Sequence, residues 1–112
     1  MSPTVLNFIG GEWRPARSGA TFETRNPATE EVLALVAQSD ADDVADAVSA
    51  AKAAYREWRL VPAPRRGEVL YAVARLLEER KEELSRLMTQ EMGKVLSEAR
   101  GDVQEGPATE LP

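Results

Sequence analysis

Val32-Leu33-Ala34-Leu35-Val36-Ala37-Gln38-Ser39-Asp40-Ala41-Asp42-Asp43-Val44 is where the chain changes from one periodicity to another. Val32 to Val36 is a continuous apolar run of strand length, which predicts a strand buried on both faces or covered by a helix. Ser39 predicts a helix N-cap, because its hydroxyl can accept from free backbone N–H groups. Asp40, Asp42 and Asp43 place negative charge at the positive end of the helix dipole. After them Val44, Ala47, Val48, Ala51, Tyr55 and Trp58 recur at helical spacing. Ala47, Ala50, Ala51 and Ala54 leave room for a neighbouring element to come close. Leu60-Val61-Pro62-Ala63-Pro64 ends the helix, since a residue before proline is pushed out of the helical region.

Working back from this point, residues 6–36 read as short strands and turns. Leu6 to Ile9 and Glu12 to Arg14 flank Gly10-Gly11, a pair that supports the positive φ of a tight hairpin. Ser18-Gly19 marks a loop over Pro15 to Ala20. Thr21 to Arg25 alternates β-formers with polar residues and predicts a half-buried strand. Asn26-Pro27 initiates a turn, because proline presets φ and the Asn side chain can bond nearby backbone.

Working forward, Pro64 suits a first helical position, and one helix is predicted over about 64–92. Val69, Val73, Leu76, Leu77, Leu84, Leu87 and Met88 form its stripe, and Gly93 is its stop. A third helix, over about 95–105, carries Leu96, Ala99 and Val103 on one face, and Gly106-Pro107 is predicted to break it. The whole is an α+β piece, short strands followed by three amphipathic helices over about 40–59, 64–92 and 95–105. Each helix has one apolar face to cover, and short strands cover little, so the piece reads as part of a larger α/β domain.

The 112 residues carry a net charge of -5 with no cysteine and no histidine. Acidic residues interleave with Arg and Lys along the helices, the pattern of a solvated face. Nucleic-acid binding is disfavoured, because phosphate neutralisation needs clustered cations. No apolar run approaches the roughly 18 residues of a membrane span, and the N-terminus lacks a signal-like apolar stretch, so a cytoplasmic location is expected. Disulfides, thiolate metal sites, thiol nucleophiles and imidazole bases are excluded by composition. The serines sit in no nucleophile elbow. Gly10-Gly11 leads into a strand rather than a helix, so it predicts a hairpin turn and not a phosphate cradle. At Gly93-Lys94 the lysine reads as a cation at the negative end of a helix dipole, with reach toward a substrate or partner as the alternative. Trp58, with Tyr55 one turn before it, reads as a core or interface anchor, with ligand stacking as the alternative.

An ordered set of motifs resembles the NAD(P)-dependent aldehyde dehydrogenases: Asn7-Phe8-Ile9-Gly10-Gly11-Glu12-Trp13, Thr21-Phe22-Glu23, Asn26-Pro27-Ala28-Thr29, Arg65-Arg66, Leu76-Leu77-Glu78-Glu79-Arg80 and Glu91-Met92-Gly93-Lys94. Glu91 to Lys94 together with Glu98-Ala99-Arg100-Gly101 is similar to the semialdehyde-oxidising branches. The resemblance covers about residues 6–105. It implies that residues 1–105 are the N-terminal portion of a dinucleotide-binding domain and that 106–112 form a tail outside the family pattern. It further implies a complete enzyme that oxidises an aldehyde or semialdehyde with NAD or NADP, through a cysteine thiolate that attacks the aldehyde. That enzyme acts on a small-molecule aldehyde, usually as a homo-oligomer.

The family's cysteine, glutamate base, oxyanion asparagine and main cofactor loops have no counterpart here, so no catalytic or cofactor-binding residue carries over. The chain alone is expected to be inactive and to hold neither dinucleotide tightly. The alternatives are a stand-alone interaction module that binds through its helices, and a non-functional truncated remnant. Some members hold a monovalent cation, a role the resemblance passes to Thr24, Arg25 and Asp102. Asp102 lies one position short of the family's spacing after Gly-Lys, a helical rotation of about 100°. Glu30 stands where many members have glycine. Gly106 to Pro112 does not continue the family pattern, as a truncation, frameshift or mispredicted stop would produce.

Overall fold

A computed structural model describes residues 2–110, so the end of the expected tail, 111–112, lies outside the described residues. The chain forms two compact units. One holds the residues up to Arg25 and Glu31–Leu60, and the other holds Asn26–Glu30 and the residues from Val61 onward.

The first unit contains β1 (Thr4–Val5), β2 (Asn7–Ile9), β3 (Glu12–Arg14), β4 (Thr21–Arg25), β5 (Val32–Ala37) and α1 (Ala41–Trp58). The apolar run became the central strand of a three-stranded sheet ordered β1-β5-β4. β1 runs parallel to β5 with Thr4 opposite Leu35, and β4 runs antiparallel with Glu23 opposite Leu35. Central placement gives β5 ladder partners on both edges, which suits a strand without polar alternation. β2 and β3 form the expected hairpin, with Phe8 opposite Trp13 and their rings 4.8 Å apart. Gly10 and Gly11 both have positive φ, 61° and 82°, the left-handed pair that a two-residue hairpin requires. Tyr55 and Trp58 are 62% and 45% exposed, so neither anchors the core of this unit.

The cap of α1 is Asp40 rather than the expected Ser39. The Asp40 carboxylate accepts from the N–H groups of Asp42 and Asp43, and the Asp43 carboxylate accepts from the Asp40 N–H, which closes a capping box. Ser39 is engaged elsewhere. Its hydroxyl accepts from the Asn7 side-chain amide at 2.7 Å and donates to the Asn7 side-chain oxygen at 3.0 Å.

The second unit contains α2 (Ala63–Glu79), α3 (Lys81–Met92) and α4 (Leu96–Glu110), with the Asn26–Glu30 turn. Among the described residues there are thus four helices, not three, because the stretch predicted as one helix divides at Arg80 (φ -99°, ψ 13°). Helical hydrogen bonds reach the junction from both sides, Arg80 N–H to Leu76 and Leu84 N–H to the Arg80 carbonyl. α2 and α3 both pack on α4, while Val69, Val73, Leu76 and Leu87 of the predicted stripe stay exposed. Ala74, Ser85, Ala99 and Val103, between 0% and 8% exposed, make that contact close. Charged groups hold the start of α3 to α4: Lys81 Nζ donates to Gln104, and Arg100 donates two bonds to Glu82.

The expected break at Gly106-Pro107 does not occur, and α4 runs through it to Glu110. A proline inside a helix removes one backbone bond and crowds the preceding turn, at a cost of about 3 kcal/mol. Here the Pro107 side chain is fully buried, and a Cβ on Gly106 would sit 3.3 Å from Leu77 Cδ1. Packing against α2 thus offsets a local preference for stopping.

The stop at Gly93 forms as expected. Its φ is 81°, and its N–H donates to Thr89. The Asn26 turn also forms, with the side-chain oxygen accepting from the Ala28 N–H at 2.9 Å. Glu30 closes that turn at φ 64°. Glycine takes this left-handed region freely and other residues do not, so Glu30 holds it at a backbone cost. Among the described residues, no helix is long and apolar enough to cross a membrane.

Candidate functional site

Gly93 ends α3, and Lys94 follows it in the connection to α4. The Lys94 ammonium pairs with the Asp102 carboxylate on α4, eight residues on, and is half-buried. Its hydrogen bond with Asp102 holds Lys94 above the ordinary lysine range, with Glu98 and Glu105 adding in the same direction. A lysine that acts as nucleophile or base needs the opposite shift, toward neutrality. The most motif-like cation in the chain is therefore an ion-pair partner, and Asp102, one of the expected cation ligands, is its acceptor.

The other two expected ligands lie on β4. Thr24 is half-buried opposite Ala34, beside a register irregularity between Thr24 and Arg25. The Arg25 guanidinium pairs with Glu23. Thr24 and Arg25 belong to the first unit and Asp102 to the second, so each unit by itself holds only part of the expected set. Among the described residues, no three His, Cys, Asp or Glu side chains are grouped to hold a metal ion.

A dinucleotide pyrophosphate needs backbone N–H groups at a helix N-terminus behind a glycine-rich turn. The Gly10-Gly11 turn leads into β3 instead. At the start of α1 the free N–H groups are already taken by the carboxylates of Asp40 and Asp43, which would repel an anion. At the start of α2 no side chain caps the helix, and Arg65 and Arg66 are directed to Glu68 and to the Val61 carbonyl. None of these three places fits a pyrophosphate cradle.

Two charge clusters had no signal in the sequence. In the first unit, Arg17 straps the Pro15–Ala20 loop to α1. Its N–H donates to Asp43 at 2.9 Å, and its guanidinium grips Asp46 through two bonds of 2.7 and 2.6 Å. Asp43 is 4% exposed, and bonds from the backbone N–H groups of Asp40 and Arg17 hold it below the usual carboxylate range. The bond from Arg17 does the same for Asp46. In the second unit, Glu82 is held low by Arg100, with Arg86 also in contact. Both clusters join segments far apart in sequence, which no local spacing rule could reveal.

Comparison with known proteins gives the context in which such a scaffold occurs. The aldehyde dehydrogenase family model matches residues 13–109. Malonate-semialdehyde dehydrogenase 2 of Geobacillus thermodenitrificans is 52% identical over 103 residues, which make up 92% of this chain and 21% of that protein. The solved E. coli NADP-dependent enzyme superposes with a TM-score of 0.92 at 34% identity, over 96% of this chain and 22% of its own. An NAD-dependent aldehyde dehydrogenase from Sinorhizobium meliloti superposes with a TM-score of 0.91 at 28% identity, over 98% and 22%. The chain spans about a fifth of the length of the relatives it matches, and corresponds to their N-terminal part. From the family match over most of its residues and the shared fold, the chain belongs to the aldehyde dehydrogenase family.

Proposed function

We propose that this chain serves as the N-terminal scaffold of a semialdehyde-oxidising aldehyde dehydrogenase, and that the complete protein converts a small aldehyde to its carboxylate with NAD or NADP. The observation that carries this reading is the 52% identity to a malonate-semialdehyde dehydrogenase across 92% of the chain. NAD-dependent and NADP-dependent enzymes both occur among the structural neighbours, in keeping with a nicotinamide dinucleotide for the complete protein. The substrate is an acidic semialdehyde of the malonate semialdehyde type. The complete protein acts in the cytoplasm as a homo-oligomer, and Thr24, Arg25 and Asp102 contribute to a monovalent-cation site there.

The 112 residues contain no cysteine to attack an aldehyde and no histidine. The purified chain, given malonate semialdehyde and either oxidised dinucleotide, will form no reduced nicotinamide above a no-protein blank. Sustained turnover would overturn this reading. Grafting residues 1–105 onto the Geobacillus thermodenitrificans relative in place of its matched stretch tests the scaffold role directly. The graft is expected to keep semialdehyde oxidation, and a folded but inactive graft would count against the proposal. Replacing potassium by choline should lower the graft's melting temperature, and Asp102→Ala should abolish that difference. Equal melting in both salts would remove the cation role.

A further inference from the structure

No further inference is drawn: the strongest candidate, the apolar groove of the second unit lined by Leu77, Leu84, Leu87, Met88 and Val103 with Glu91 at its rim, carries nothing because nothing in the structure shows what covers it.

Discussion

Replacing Gly93 with alanine tests how a single backbone position ends α3 and seats the Asn26 turn. Two penalties add at this position. The φ of 81° lies in the left-handed region, where an L side chain costs about 1–2 kcal/mol. The new Cβ would stand 2.9 Å from Pro27 Cγ, closer than carbon atoms pack, and relieving such overpacking costs about 1–3 kcal/mol. Alanine restricts the unfolded chain more than glycine does, which returns about 0.4–1 kcal/mol. The net destabilisation spans about 1–4.5 kcal/mol and centres near about 2.5 kcal/mol. With a urea dependence of about 1–3 kcal/mol per molar, the midpoint should fall by roughly 1–2 M. Far-ultraviolet circular dichroism is the suitable readout, because both tryptophans lie in the first unit and α3 lies in the second. Pro27→Ala supplies the control. In that background the steric part of the Gly93→Ala loss should disappear and the backbone part should remain. A Gly93→Ala cost below about 0.5 kcal/mol, or a cost that is the same with and without the Pro27 ring, would refute both penalties as the cause.

The remaining predictions concern charge and helix composition. Asp43 and Asp46 are held below their ordinary value of 3.8, so the stability they contribute is full above that pH and is lost as pH falls through their lowered folded values. Acid titration followed by tryptophan fluorescence should therefore show unfolding at strongly acidic pH, and Asp43→Asn should flatten that dependence while lowering stability at neutral pH; an unchanged acid limb would contradict the assignment. Gly101 sits in the interior of α4 with open space around its Cα, so Gly101→Ala should stabilise the chain by about 0.5–1 kcal/mol, read as a higher urea midpoint. Asp102→Ala removes both the hydrogen bond and the charge that hold Lys94 high, so Lys94 should acylate faster at alkaline pH, as peptide mapping would show; an unchanged rate would mean that the pair does not form in solution.

The placement of functional residues was legible mainly by exclusion. A chain without cysteine and histidine cannot carry the nucleophile that its motifs imply, and this follows from composition without any structure. The fate of Lys94 was not legible. A lysine after a helix-ending glycine reads equally as a dipole partner or as a reaching cation. Only the return of α4 past the end of α3 places the Asp102 carboxylate against it.

What the sequence determined by itself is local. The positive φ demanded at Gly10, Gly11 and Gly93, the turn begun by Asn26, the apolar run of β5 and the switch to helical spacing after it all depend on neighbours a few residues away. Family membership was readable for the same reason, since its motifs are short and ordered along the chain. What the tertiary structure decided depends on residues distant in sequence. Thr4–Val5 is too short to signal a strand and becomes one only by pairing with β5. Ser39 yields the cap to Asp40 while bonded to a side chain 32 residues away. The apolar stripe across Arg80 is continuous, so periodicity could not register the break between two helices that pack on α4. Helix α4 passes through Pro107 because burial against α2 outweighs the local cost. A short-range preference of about 1–3 kcal/mol yields wherever a packed interface supplies more, and the residues across that interface cannot be identified from spacing along the chain.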